Sequence, residues 1–471
     1  MDEINKKGPT AELVATYDEN VQNDLRIDPE LFRRYNVKRG LRNDNGTGVL
    51  VGLTEVGEVY SYILDDAERI PTEGYLFYRG LSITDIVRGF YGSGRLGFEE
   101  CASLLLFGHL PTESQLKAFH DSLTENSYLP PSFTEDMIFR YPSRDIMNKL
   151  ARNVLALYAH DPDGDSIDLQ NVLRQSLMLI ARFPLLIAYS YVAMLHYLDN
   201  KSLFVHAPLP EYSIAENILR MIRPSGEFTE LEARILDLML VLHAEHGGGN
   251  NSTFAVRAVT STGTDTYSAI AAGIGSLKGP QHGGAANKAF QMMEHLKETV
   301  KDYGSDLEIR NALISLLAKK SFDQTGLIYG IGHAVYTLSD PRAVLLREHA
   351  EDLAVAMGRE EEFAFYRKIE ALAPQVLRDY RGEPDKPYCA NVDFYSGLVY
   401  DMLNIPSELF TPLFAAARVA GWSAHRLEEL GSSGKIIRPA YKNVKRRRKY
   451  RSMPERRAGL DEELSPQSFF Q

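Results

Sequence analysis

Three short segments in the second half of the chain set one ionisable side chain among glycines and small residues. They are Gly279-Pro280-Gln281-His282-Gly283-Gly284, Tyr329-Gly330-Ile331-Gly332-His333-Ala334-Val335 and Asn391-Val392-Asp393-Phe394-Tyr395-Ser396-Gly397. A carboxylate and two imidazoles are the parts needed to take a proton from a carbon beside a carbonyl and to stabilise the enolate that forms. Glycine neighbours let the backbone turn and let a ligand come close. His282 precedes a helix expected from Ala285, and the dipole there favours a neutral imidazole that still donates one N–H. A helix-capping histidine in a turn fits the same position equally well. His333 is followed by Asp340-Pro341-Arg342. Histidine with arginine suits a keto acid, one polarising the carbonyl and the other holding a carboxylate in a fork. Asp393 opens an apolar-periodic stretch, Phe394, Leu398 and Met402, so it is also a good first-turn or N-cap aspartate.

Other polar residues admit two readings each. Arg418, within Ala417-Arg418-Val419-Ala420-Gly421-Trp422, and Arg438, within Ile436-Ile437-Arg438-Pro439, carry charge in apolar settings and need partners. Each suits a structural ion pair, and with Arg342 they could instead fix a dianionic substrate. His243-Ala244-Glu245-His246 places two imidazoles at i and i+3 of an expected helix, but it is not His-Glu-x-x-His, and Cys101 and Cys389 lack metal-type spacing. No metal site is expected. Asp161-Pro162-Asp163-Gly164-Asp165 lacks the length and closing glutamate of a calcium loop and reads as an acidic turn.

Helices must position most of these groups. Leu231, Ile235, Leu238, Leu242 and His246 recur at helical spacing, so one amphipathic helix is expected over 229–246, stopped by Gly247-Gly248-Gly249. Further helices are expected at 285–300 and 396–403, and Thr112-Glu113-Ser114-Gln115 reads as a capping box. The apolar run from Phe183 to Leu198 reads as a buried helix. Residues 46–79 differ: glycines punctuate β-prone runs at Val49–Leu53 and Val59–Ile63, which predicts a small antiparallel patch. Residues 1–45 are charged and suit one or two short surface helices.

Composition narrows the class. The chain has 471 residues, 44% hydrophobic and 24% charged, with a formal net charge of −11. That is an ordinary globular composition, and the acidic body should not attract nucleic acid or an anionic membrane. The basic run Lys445-Arg446-Arg447-Arg448-Lys449 reads as a solvated or partner-wrapping tail. Two cysteines are too few for a disulfide framework and fit a reducing compartment. The first ten residues lack the apolar core of a signal peptide, and no membrane span is expected.

Taken together, the motifs resemble those of citrate synthases. The similarity runs from Tyr78-Arg79-Gly80 to Arg438-Pro439 and includes the histidine-rich helix end at 243–252, Gly-Pro-x-His-Gly at 279–283, Gly-x-Gly-His at 330–333, Asp-Pro-Arg at 340–342, Asn-Val-Asp at 391–393 and Arg-x-x-Gly-Trp-x-x-His at 418–425. The resemblance implies a mainly α, two-domain helical fold with a small N-terminal β patch. Its large domain would be 1–283, its small domain 284–398, and 399–471 would return to the large domain and end in the tail. It implies a cytoplasmic homodimer, or a multiple of dimers, that serves the tricarboxylic acid cycle by joining acetyl-CoA to oxaloacetate. The acyl-CoA is a substrate and no cofactor is implied. Asp393 would take the methyl proton, His282 would donate to the thioester oxygen, and His333 would polarise the keto group. His246, Asn250, Arg342 and Arg418 would bind oxaloacetate, with Arg438 from the neighbouring subunit. His243 and Ser252 would stand behind them, and Gly330, Gly332, Lys386 and Asn391 would grip CoA. Ala334 and Thr337 replace the basic residues usual after the Gly-x-Gly-His histidine, and Tyr329 replaces a common proline. 2-Methylcitrate synthase, using propionyl-CoA, and a non-catalytic binding protein are the alternatives.

Overall fold

The computed structural model describes residues 26–453 except Asn45, Asp66, Ala67, Ala334, Ser433, Arg448 and Arg451, together with Thr10, Ala11 and Val14. The chain divides into two units, Met1–Gly434 and Lys435–Gln471. The described part of the second unit is largely exposed, without a strand or an α-helix.

Two strands, β1 (Gly57–Asp65) and β2 (Glu68–Tyr78), pair antiparallel, and β3 (Leu81–Ser82) adds a short edge. Val59–Ile63 therefore lies in a strand, as its pattern predicts. Val49–Leu53 does not. It has no regular structure, with Leu50 and Leu53 83% and 85% exposed, and β propensity without a neighbouring strand to pair with is not enough to make a sheet. The hairpin is fastened to a loop some 270 residues later. Ser61 Oγ donates to the Val335 carbonyl, and Thr337 Oγ1 donates to the Ser61 carbonyl at 3.1 Å. Gly74 N–H donates to Ser339 Oγ at 3.1 Å, and Ser339 in turn donates to Glu73. A Cβ on Gly74 would lie 2.2 Å from the Ser339 carbonyl oxygen, so only glycine permits this approach.

The helices include, in chain order, α1 (Pro29–Arg34), α2 (Glu113–Asn126), α3 (Leu169–Asp199), α4 (Glu230–His243), α5 (Asn251–Thr260), α6 (Thr266–Leu277), α7 (Ala285–Thr299), α8 (Pro341–Ala356), α9 (Val392–Met402) and α10 (Phe410–Gly431). The capping box at Thr112 and Gln115 starts α2, and a second, Thr229 with Glu232, starts α4. Helix α3 contains the apolar run and Pro184. It is long and apolar enough to cross a membrane, but the apolar stretch is 83% buried, packed on α2 and α10 as a core helix.

Two helix boundaries depart from the sequence pattern. α4 ends at His243, three residues before His246. The phenolic hydroxyl of Tyr78 donates towards the carbonyls of Val241 and Glu245, at 2.9 and 3.1 Å, and so satisfies a helix-end oxygen that no further turn then needs to meet. α9 starts at Val392 rather than Ser396, because Asn391 caps it.

Helix α10 is buried on all sides from Phe410 to Arg426. It crosses the end of α4 at Gly421, where a Cβ would lie 2.4 Å from both the Ala244 carbonyl oxygen and Glu245 Oε2. Gly421→Ala should therefore destabilise the fold by about 1–3 kcal/mol through overpacking. A urea midpoint equal to that of the parent protein would show that the α4–α10 crossing yields without cost.

Candidate active site

Left-handed glycines build the first wall. Gly330 and Gly332 have φ of +80° and +93°, and the chain between them bridges Ala390. Gly332 N–H donates to the Cys389 carbonyl at 2.7 Å, Asn391 N–H donates to the Gly330 carbonyl at 2.9 Å, and Asn391 Nδ2 donates to the Gly332 carbonyl at 2.8 Å. A Cβ on Gly330 would lie 2.8 Å from Phe394 Cα, inside the first turn of α9. Asn391 Oδ1 meanwhile accepts from Asp393 N–H at 3.0 Å. One asparagine thus couples the His333 segment to the Asp393 segment.

His333 Nδ1 accepts from the N–H groups of Val335 and Tyr336, both at 3.1 Å. The proton of the neutral ring must then be on Nε2, which leaves that nitrogen a donor. Burial, aided by Arg342 and Arg42 against the pull of Asp340, holds the imidazole neutral, with its pKa lowered to about 4. The ring stacks on Tyr336 at 4.8 Å, and His246 lies 5.3 Å from His333 and 5.6 Å from Tyr336. His246 Nε2 and the Tyr336 hydroxyl are buried with no hydrogen-bond partner. Burial and Arg342 keep His246 neutral too.

Arg342 lies in the first turn of α8, which Asp340 caps. Its Nε and Nη2 donate to Asp340 at 3.1 and 2.8 Å, and Asp340 also accepts from Val392 N–H at 3.2 Å. The pair is structural on one side, and it orients the remaining guanidinium nitrogen. Arg418, on α10, is fully buried. Its Nε donates to the His243 carbonyl at 2.6 Å and its Nη1 to Asn250 Oδ1 at 3.2 Å, while Nη2 has no partner. Burial pushes its pKa down to about 10, so the group stays charged at neutral pH. Neither arginine is spent on a structural ion pair alone.

His282 stands in the turn from 278 to 284 before α7, as expected. Its pKa is lowered to about 4, chiefly by burial and then by Arg418, rather than by the helix dipole invoked from the sequence. Its Nε2 meets Ser252 Oγ at 3.0 Å, and Ser252 Oγ also meets Asn250 Oδ1 at 2.9 Å and Trp422 Nε1 at 3.2 Å. Phe414 spaces the group apart: its ring lies 6.4 Å from His282, 4.5 Å from His243 and 4.8 Å from the Arg418 guanidinium carbon.

Asp393 is a first-turn residue of α9, as its simpler reading held, yet it is not only that. Burial pushes its carboxyl up to about 6, against the opposing pull of Arg342 and Arg418. A carboxylate so poorly solvated is a stronger base than one in water.

The remaining expected residues have surroundings of their own. His243 is not paired with His246 on one helix face. Its Nδ1 meets the Met239 carbonyl at 2.7 Å within α4. Lys386 is exposed and paired with Glu383 at 3.0 Å. Thr337 faces the hairpin, Ala334 lies outside the described residues, and Arg438 belongs to the second unit. The Tyr329 hydroxyl donates to Asp323 at 2.7 Å. Sequence reasoning gave no role to Tyr336, Phe414 or Trp422. It also missed a buried relay in which Arg257 donates to His425 Nδ1 at 2.7 Å and His425 Nε2 donates to Glu245 at 2.9 Å, bracing the turn before Asn250. Trp422 and His425 stand in the quoted 418–425 motif, and their spacing of three on one helix face was the available signal.

Residues 45–440 match the sequence model of a family described as citrate synthase, C-terminal domain. A citrate synthase of Synechocystis sp. is 35% identical over 373 residues, covering 78% of this chain and 84% of that protein. A 2-methylcitrate synthase of Shewanella oneidensis is 31% identical over 365 residues, covering 78% and 87%. Among solved structures, citrate synthase from Pyrobaculum aerophilum superposes with a TM-score of 0.70 at 30% identity, over 87% of this chain and 94% of that one. The ternary complex of carboxymethyl coenzyme A and oxaloacetate with citrate synthase from Thermoplasma acidophilum gives 0.71 at 26% identity, over 89% and 99%.

Proposed function

The chain belongs to the citrate synthase family, and we infer that it condenses acetyl-CoA with oxaloacetate and water to give citrate and CoA. The observation that carries this reading is the convergence of a carboxylate raised to about 6 with two neutral histidines and two buried arginines. Asp393 takes a proton from the acyl methyl group, and His282 donates to the thioester oxygen as the enolate forms. The enolate carbon attacks the keto carbon, whose oxygen takes a proton from His333 Nε2. Water then cleaves the thioester and CoA leaves as the thiol. His246, with its unpaired Nε2, Arg342 and Arg418 suit the carboxylates and keto oxygen of oxaloacetate. Gly330, Gly332 and Asn391 leave backbone close to where an acyl-CoA would enter, and Lys386 would release Glu383 to meet a phosphate. Residues 284–398 would move as a small domain over the bound oxo acid. The setting is the tricarboxylic acid cycle in the cytoplasm, and the side chains carry the chemistry without a cofactor.

A CoA-release assay with oxaloacetate tests this. Acetyl-CoA should be turned over faster than propionyl-CoA, although one methylene is worth only about 1–3 kcal/mol in a pocket, so some propionyl activity is expected. A reversed preference would reassign the chain to 2-methylcitrate synthesis, and no release with either would remove the enzymatic reading.

The homodimer is part of the proposal, with Arg438 serving the oxo acid in the partner subunit. Arg438→Ala and Asp393→Asn subunits should each be nearly inactive alone. In a mixed dimer one site carries both defects and the other neither, so activity should partly return on mixing. Heterodimers proved by mass-tagged chains, yet without recovered turnover, would confine Arg438 to its own subunit or remove it from the site.

A further inference from the structure

The hydrogen bonds around Ser252 have a direction that the chemistry of their members imposes. Arginine and indole nitrogens only donate. Arg418 Nη1 therefore requires oxygen, not nitrogen, on the Asn250 atom it meets at 3.2 Å, and that same Oδ1 faces Ser252 Oγ at 2.9 Å. Trp422 Nε1 donates to Ser252 Oγ at 3.2 Å and occupies one lone pair. The serine proton must then go to Asn250, since two facing acceptors would otherwise repel. One lone pair remains on Ser252 Oγ, and it faces His282 Nε2 at 3.0 Å. With Arg418 on Asn250, His282 is thus the tautomer protonated at Nε2, and its Nδ1 is bare. A second donor contradicts that arrangement: the backbone N–H of Ser252 points at the same Nε2 at 3.4 Å, and it can be satisfied only when Nε2 carries no proton. The site therefore holds two mutually exclusive bonding patterns on fixed atoms. Ser252 and Trp422 are fully buried, so solvent does not blur the choice.

We propose that Asn250, Ser252 and Trp422 form a tautomer switch, in which oxo-acid binding to Arg418 converts His282 from the Nε2-protonated to the Nδ1-protonated form. The inference rests on the reading of the site given above, in which Arg418 holds a substrate carboxylate. When Arg418 turns to that carboxylate, Asn250 loses the donor that fixed its amide. The amide can then present Nδ2 to Ser252 Oγ. Ser252 now accepts from both Asn250 and Trp422, so its own proton can go only to His282 Nε2, joined there by the backbone N–H of residue 252. The imidazole proton moves to Nδ1, with no net change in charge. His282 becomes a donor on its other nitrogen only after the oxo acid is in place, which withholds enolisation until there is a partner for the enolate. Asn250, Ser252 and Trp422 are positioning residues here, acting through His282.

Solid-state nitrogen spectra of protein labelled with 15N-histidine read the tautomer directly, with the His282 signals identified by their loss in His282→Gln. The free protein should show His282 protonated at Nε2, and protein saturated with oxaloacetate should show it protonated at Nδ1. Ser252→Ala leaves the backbone N–H as the sole partner of Nε2, so it should show the Nδ1-protonated form with and without oxaloacetate, with kcat down about fivefold to tenfold, as one lost hydrogen bond implies. One unchanged tautomer in the parent protein, or a ligand-dependent change that survives Ser252→Ala, overturns the switch. Calorimetry and CoA release on the same samples separate the two readings: binding and turnover without a tautomer change sink the switch alone, whereas absence of oxaloacetate binding sinks both.

Discussion

Asp393→Asn should fold normally and lose turnover by about 10²–10⁴-fold, the usual worth of a positioned base. His282→Ala should lose a comparable amount, because a donor at the thioester oxygen is needed in the same step. The pH profile makes the Asp393 assignment sharper. Its carboxyl is raised to about 6, while His282 and His333 are lowered to about 4. Of these three groups, Asp393 is the first to gain a proton as the pH falls from neutral. The base must be ionised to act, so the rate should be flat above about 7 and fall through a pKa near 6 on acidification. The residual activity of Asp393→Asn should lack that limb. Near-parental turnover in either variant, checked by CoA release on protein of unchanged circular dichroism, would remove that residue from the chemistry. A limb retained in Asp393→Asn would assign the titration to another group.

Arg418→Lys should be nearly as damaging despite keeping the charge. The guanidinium donates to the His243 carbonyl and to Asn250, and its Nη2 is buried without a partner. An ammonium on a shorter stem cannot hold the His243 carbonyl and also present a planar fork to a carboxylate. Charge-assisted hydrogen bonds are worth about 1.5–3 kcal/mol each, so kcat/KM for oxaloacetate should fall about a hundredfold or more. The KM for acetyl-CoA, measured at saturating oxaloacetate, should change far less. Equal losses for both substrates would point to a general loosening of α10 rather than to lost recognition.

How much of this was legible depended on whether the cause was local. The capping box at Thr112 is complete within four residues, and it forms. The glycines at 330 and 332 announce a turn, and both take the left-handed backbone that only glycine adopts freely. By contrast, the end of α4 at His243 is set by the hydroxyl of Tyr78, more than 160 residues earlier, and no periodicity records that. The same holds for Val49–Leu53, where strand character depended on a neighbour that never arrives. Asp340 and Arg342 stand two residues apart in the sequence, but their bidentate pairing reflects the rotamers chosen at the start of α8. The roles of the residues around Ser252 are set by which atoms can donate, and donor direction is written in distances rather than in the sequence.

The fastening of the hairpin to the His333 loop has a consequence for biosynthesis. Ser61, Glu73 and Gly74 bond to Val335, Thr337 and Ser339, and those partners leave the ribosome long after the strands do. At about 5–20 residues per second the strands wait on the order of 15–50 s. A lone two-stranded hairpin is marginal in water, and until residue 339 is made this one lacks the bonds that tie Ser61, Glu73 and Gly74 to the later loop. A chain stalled before residue 335 would carry its N-terminal strands unfastened. The step that completes the His333 loop is the same step that anchors the hairpin.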